Sequence, residues 1–260
     1  MISWELPLAG SWSGYPRRPP ALQVTEDEAA GGCAGCRRSL STPGCIASFM
    51  TATTSDPADA KQALRKQAAA HRRDLMACDP DAPARLAAQV GILVDILAGI
   101  APADGEGGVV AAYMPIRSEL SPLPLVTALV GRGIATAMPE TPAPGNPLVF
   151  RRWAPGDDLV DGPYGTKQPS AAADILTPSL ILAPMLAFDP GCRRLGYGGG
   201  FYDRTLGALR GAGRQVTAIG IAFDGQLVDK VPVGPYDAAL DAVLTPSGLR
   251  PADNQQPGGA

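Results

Sequence analysis

Residues 180–206 read LILAPMLAFDPGCRRLGYGGGFYDRTL, and the rest of the chain is best understood outward from them. Leu180 to Ala183 form a short apolar run of the kind that makes a buried strand. Phe188, Asp189, Pro190 and Gly191 then break regularity, as turn residues do. Two arginines, Arg193 and Arg194, lead into Gly196, Gly198, Gly199 and Gly200, and a helical pattern resumes around Phe201. Strand, cationic glycine loop and helix start are the parts of a phosphate site. Glycines let backbone N–H groups approach an anion, and a helix N-terminus adds a favourable dipole. Asp203 follows at once, and a carboxylate beside bound phosphate is a natural Mg2+ ligand. Taken alone the loop also reads as a tight turn rich in flexible glycine. No Gly-Lys-Ser/Thr follows, so it is not a Walker loop, and its glycine spacing does not fit the dinucleotide fingerprint.

Composition narrows the chemistry. A formal net charge of −3 over 260 residues gives no basic field for nucleic acid. No apolar run reaches the ~18 residues of a membrane span, and the N-terminus lacks a secretory pattern, so a cytoplasmic location is expected. Five cysteines, an odd number, point to reduced thiols rather than a disulfide framework. The single histidine, His71, stands beside Arg72 and Arg73 and reads as a solvated helix residue. Histidine-rich metal sites are excluded, which leaves Asp, Glu, Lys and Arg to carry the chemistry.

Residues 1–54 are rich in Gly, Pro, Ser and Thr without apolar period and read as a disordered extension. Cys33 and Cys36 have zinc or redox spacing, with Cys45 as a conceivable third ligand, but no second pair follows. Met50 would serve as an alternative start of translation. A first helix is expected from Ser55-Asp56-Pro57 to about Met76, with Lys61, Arg65 and Arg72 on one face. By itself that face reads as a solvated basic stripe. A second helix is expected over 80–100, a strand over 109–114, a helix over 123–130 and strands over 134–138, 148–153 and 217–223. A further helix is expected over 202–209, and the chain after Pro246 reads as a flexible tail. Strands alternate with helices, so the class is α/β with a mostly parallel sheet, one domain over 55–248. Ligands bind such sheets beyond the carboxyl ends of strands, which places the loop Pro115–Ser121 well. Glu119 within it could equally be a helix cap.

The string Arg194-Leu195-Gly196-Tyr197-Gly198-Gly199-Gly200-Phe201-Tyr202-Asp203-Arg204, with Pro184, Phe188-Asp189 and Gly191 before it, resembles the signature of the 5-formyltetrahydrofolate cyclo-ligase family. The family usually has Tyr where Phe201 stands. The resemblance spans roughly Ser55 to Pro246 and implies a three-layer sandwich related to the phosphosugar isomerase and CoA-transferase folds. It implies an ATP- and Mg2+-dependent closure of 5-formyltetrahydrofolate, with or without a polyglutamate tail, to 5,10-methenyltetrahydrofolate, by a monomer. By the same resemblance Lys61, Arg65 and the loop Arg194–Tyr202 bind ATP. Met114, Glu119, Trp153 and Tyr197 to Phe201 line the folate. Arg194, Tyr202 and Asp203 serve catalysis, and Asp203 and Asp237 hold the metal. Asp241 reads as structural. Gly165 and Pro169 match a Gly-x-x-x-Pro motif, with Gln168 where the family usually has an acid, and Lys167 is a further phosphate or folate-glutamate candidate. Two other readings stay open from the residues alone: a binding module without catalysis, and an isomerase-like enzyme on the same fold.

Overall fold

The computed structural model describes residues 57–100 and 108–253. The readings of residues 1–54, including Cys33, Cys36, Cys45 and Met50, lie outside the described residues. The helices are α1 (Pro57–Cys78), α2 (Ala82–Ala88), α3 (Val90–Ala98), α4 (Leu123–Val130) and α5 (Phe201–Gly211). Seven strands form one sheet: β1 (Val109–Ala111), β2 (Ala135–Glu140), β3 (Val149–Arg152), β6 (Leu180–Pro184), β9 (Thr217–Ile221), β10 (Ala242–Thr245) and β11 (Gly248–Pro251). Two small ribbons stand apart, β4 (Leu159–Asp161) with β5 (Lys167–Pro169), and β7 (Ala187–Phe188) with β8 (Arg194–Leu195).

The sheet order is β11-β10-β9-β6-β1-β2-β3. The neighbours from β10 to β2 pair in parallel, and β3 and β11 close the two edges antiparallel. Period-two alternation sorts the central strands between two layers. Leu180 and Leu182 face a cluster with Leu86, Leu93, Leu125 and Leu129 from α2, α3 and α4. Ile181 and Ala183 face the opposite cluster with Leu206 of α5. Burying each leucine contributes about 2 kcal/mol, so the sandwich is held from both faces of β6. Gly220 of β9 leaves room on the second face, since a Cβ there would fall 1.9 Å from Met185 Cε.

The chain steps from β1 through α4 to β2 on one side, then returns to β6 on the other. The carboxyl ends of β1 and β6 therefore form the switch point where open α/β sheets take ligands. A third apolar cluster, Leu64, Ala68 and Ala69 against Leu186, Ala187, Leu195 and Val231, docks α1 onto the β7–β8 ribbon. Asp189, fully buried, shapes that ribbon. Its Oδ1 accepts from Arg193 N at 3.1 Å and its Oδ2 from Val231 N at 3.0 Å.

Several expectations are corrected. The helix expected over 80–100 breaks at Gln89, whose side chain donates to Pro246 O at 3.3 Å. The segment expected to be a flexible tail forms β11 after a tight turn, with Gly248 at φ 133° opposite Thr245. The domain therefore extends at least to residue 253, where Asp253 N donates to Pro190 O at 3.0 Å. The strand expected over 134–138 runs on through Pro139 to Glu140. His71 is not simply solvated: its Nε2 lies 2.9 Å from Gly225 O. Among the described residues, no helix is long and apolar enough to cross a membrane.

Candidate active site

A cleft of about 800 Å3 opens at the carboxyl ends of β1 and β6. Its walls are the segment after β1, the turn of the β4–β5 ribbon, the glycine loop before α5, the cationic face of α1, and Asp237. The volume suits a nucleotide- or folate-sized ligand.

The glycine-loop side is built on positive-φ glycines. Gly198 has φ 101° and Gly200 φ 65°, so the chain turns sharply just before α5 begins. Arg65 packs on this loop: its Nε donates to Gly196 O at 3.0 Å, and a Cβ on Gly198 would stand 3.3 Å from its guanidinium carbon. Leu195 secures the loop from beneath, buried in one cluster with Leu186 while also lining the cleft. Arg194 donates through Nη2 to Asp203 Oδ1 at 2.5 Å and through Nη1 to Ala238 O at 2.7 Å. Asp203 Oδ1 also accepts from Ala238 N at 3.0 Å. Lys61 Nζ donates to Asp237 Oδ2 at 2.5 Å, as does Gly234 N at 2.7 Å. Burial raises the Asp237 pKa, but the bonds from Lys61 and Gly234 outweigh it and leave the carboxyl below its ordinary range.

In both carboxylates these contacts fall on a single oxygen. Oδ2 of Asp203 and Oδ1 of Asp237 carry none of them. Among the described residues no group of three or more His, Cys, Asp or Glu gathers to hold a metal by itself. Asp203 and Asp237, two carboxylates on the same cleft wall as the glycine loop, are a donor set of the kind that Mg2+ takes, since that ion fills much of its shell with water and phosphate oxygens.

The opposite side centres on Glu119. It is 7% exposed, and its Oε2 accepts from Ile116 N at 2.9 Å. It thus closes a turn rather than capping a helix, while still lining the cleft. Burial pushes its pKa up to about 7, against the opposing pull of the Ile116 N–H, Arg72 and Arg117. Its folded pKa lies above the ordinary 4.5, so the stability it contributes is present below that pH and is lost as pH rises through about 7. Glu119→Gln is therefore expected to gain roughly 3 kcal/mol relative to the unsubstituted protein between about pH 4.5 and pH 8. Denaturant unfolding across that range checks this, and a constant difference would contradict it. Met114 lies beside Glu119 on the same wall. Tyr202 lines the floor, and burial, with Glu119 nearby, raises its pKa well above the ordinary tyrosine value, so its hydroxyl stays a donor.

Trp153 is the candidate that the structure does not bring to the cleft. It is 6% exposed inside the core, and its indole N–H donates to Asp157 O at 3.2 Å. Position next to β3 placed it in the packed layer behind the site. Gln168 also turns away: its Oε1 accepts from Thr141 N at 3.1 Å and ties the ribbon to the end of β2. Lys167 lines the cleft but is exposed and pairs with Asp161 at 2.6 Å.

Tyr164 and Arg117 were not singled out in the sequence, and Arg72 was read there only as part of a solvated basic stripe. Tyr164, 70% exposed at φ 61°, lines the cleft with its ring 6.5 Å from that of Phe201. Arg117, also at positive φ, lies with its guanidinium 5.4 Å from the Tyr197 ring centroid. Arg72 donates to the Tyr197 hydroxyl. Its guanidinium carbon is 5.5 Å from that centroid, but the hydroxyl bond makes this an edge contact rather than a face contact. Gly165 at φ 72° was the only local hint of the strained turn that presents Tyr164.

A model of the 5-formyltetrahydrofolate cyclo-ligase family matches residues 57–246. A 5-formyltetrahydrofolate cyclo-ligase of Mycolicibacterium smegmatis is 36% identical over 149 residues, 54% of this chain and 75% of that protein. One from Escherichia coli is 36% identical over 143 residues, 53% of this chain and 78% of that protein. The solution structure of the Aquifex aeolicus 5,10-methenyltetrahydrofolate synthetase superposes with a TM-score of 0.56 at 25% identity, covering 77% of this chain and 96% of that one. The fold is shared further with a Mycoplasma pneumoniae 5,10-methenyltetrahydrofolate synthetase, with a TM-score of 0.51 at 23% identity over 72% of this chain and 98% of that one.

Proposed function

The chain belongs to the 5-formyltetrahydrofolate cyclo-ligase family, and we propose that it converts 5-formyltetrahydrofolate and ATP to 5,10-methenyltetrahydrofolate, ADP and phosphate. The observation that carries this reading is the pairing within one cleft of a cationic glycine loop with a buried carboxylate across from it.

The chemistry follows from what those groups can do. A formyl oxygen is a poor leaving group until it is phosphorylated. It attacks the γ-phosphorus, the bond to the bridging oxygen breaks, and ADP leaves. Nitrogen 10 then attacks the formyl carbon, the new C–N bond closes the ring, and the oxygen departs with phosphate. The proton lost from nitrogen 10 is carried off with the phosphate, which balances the reaction. Phosphoryl transfer of this kind depends on positioning and charge stabilisation, so the scarcity of histidine is no handicap.

Lys61, Arg65 and Arg194 lie where they can neutralise phosphate charge, and the N–H groups of Gly198 to Phe201 can receive phosphate oxygens at the start of α5. In the free protein Lys61 and Arg194 rest on Asp237 and Asp203. With nucleotide present these cations turn to phosphate, and the two carboxylates become available to Mg2+. When bound, Mg2+ would supply charge neutralisation between the phosphates. Glu119 and Met114 orient the pterin end, with the Glu119 carboxylate accepting ring N–H groups, and Tyr202 offers its hydroxyl to developing charge.

Labelling the formyl oxygen with 18O tests the scheme. The label is expected in the released phosphate, in step with methenyl product. Label appearing in water, or product formed without phosphate release, would contradict a phosphorylated formyl intermediate.

A further inference from the structure

Arg72 is the largest fully buried side chain among the described residues, at 1% exposure. Removing a guanidinium from water is unfavourable unless its donors are met, and here they are met by three separate segments. Nε donates to Ser118 Oγ at 3.2 Å, in the loop after β1. Nη1 donates to Met185 O at 2.7 Å, just past β6. Nη2 donates to the Tyr197 hydroxyl, in the glycine loop. Glu119 Oε1 lies 3.8 Å from Nη1. Arg72 is not itself a residue of the cleft wall. It sits behind the point where the two walls meet, and the rigid fork of a guanidinium fixes angles that an ammonium cannot.

We propose that Arg72 is the positioning residue of the reaction: it holds Tyr197 on the phosphate side and Ser118–Glu119 on the opposite side in one frame, so that the formyl oxygen and the γ-phosphorus meet in line. The proposal rests on the cyclo-ligase reading. Misplacing reacting groups by about 1 Å costs on the order of 100-fold in rate, which is the scale expected on losing the frame.

The test is a double-mutant cycle of Arg72→Gln and Tyr197→Phe, with Arg72→Lys beside it. In Arg72→Gln, kcat is expected to fall about 100-fold. In Tyr197→Phe, which deletes one hydroxyl and spares the fold, it is expected to fall about 10-fold. The double variant should be no worse than Arg72→Gln within about threefold, because both changes cut one bond. Dissociation constants for ATP and for 5-formyltetrahydrofolate, each measured alone, should move less than about fivefold. A second readout separates positioning from bulk structure. The charged and titratable groups facing Glu119 are Arg72 from α1, Arg117 from its own loop, Tyr113 after β1 and Tyr202 from α5. Without the Arg72 charge, the pH midpoint of folate binding should rise in Arg72→Gln and hold in Arg72→Lys.

Multiplying losses in the double variant, an unmoved midpoint, or an unchanged kcat in Tyr197→Phe would each overturn the proposal. Should Arg72→Gln fail to fold, Tyr197→Phe still decides it. An unsubstituted protein that makes no methenyl product would remove the cyclo-ligase reading and the proposal with it. One that turns over but shows an additive cycle removes the proposal alone.

Discussion

Replacing Asp203 with asparagine is expected to lower kcat roughly 1,000-fold, about 4 kcal/mol of transition-state stabilisation, while the protein stays folded. Asp203 stands in the first turn of α5, where a carboxylate is favoured by the helix dipole. It receives Arg194 and the Ala238 N–H on one oxygen. Asparagine keeps an oxygen for Ala238 N but removes the charge. Arg194, only 6% exposed in its side chain, then loses its counter-ion. Asp203 itself is 26% exposed, so solvent takes up part of that loss, and a stability cost of about 1–2 kcal/mol is expected. The catalytic loss should be roughly two to four times this because a neutral amide is a poor Mg2+ ligand. Turnover measured against Mg2+ concentration separates the two effects. A rate near that of the unsubstituted protein at saturating Mg2+ would reject the metal role of Asp203.

Arg194→Ala is expected to raise the KM for ATP by about 100-fold and that for folate by less than about threefold. A charge-assisted bond to phosphate is worth about 1.5–3 kcal/mol, and Arg194 supplies a fork of two donors. One arm reaches Asp203 and the other Ala238 O, so the residue also secures the segment that carries Asp237. Arg194→Lys should fall between, since it keeps charge and loses the fork. Equal increases for both substrates would show that Arg194 supports the cleft as a whole instead of the nucleotide.

The central layers were legible because they obey simple periodicities. Leu180–Ala183 and Thr217–Ile221 are apolar runs bounded by turn residues, and Leu123–Val130 is an apolar helix closed by Gly131 and Gly133. What escaped were elements with little apolar signature. β11 is an edge strand whose residues are half-buried or exposed, so its side chains look like a tail. The β7–β8 ribbon has two residues in each strand and is shaped by the buried carboxylate of Asp189, which no local pattern reveals.

The site shows the same division. Local spacing placed Lys61, Arg65 and Arg72 on one helix face, and the structure keeps them there. The environment of that face is a long-range matter: the glycine loop, far along the chain, covers it and turns Arg72 from a solvated cation into a buried one. Trp153 erred in the opposite direction, since a residue one step past β3 can face the core as readily as the cleft, and the pairing of Trp153 N with Thr136 O sends it inward.

The most direct measurement is methenyl absorbance on mixing the protein with 5-formyltetrahydrofolate, ATP and Mg2+, repeated with each component left out. A rise is expected with all three present and none when any one is missing. A flat trace from a folded protein that binds both substrates would contradict it.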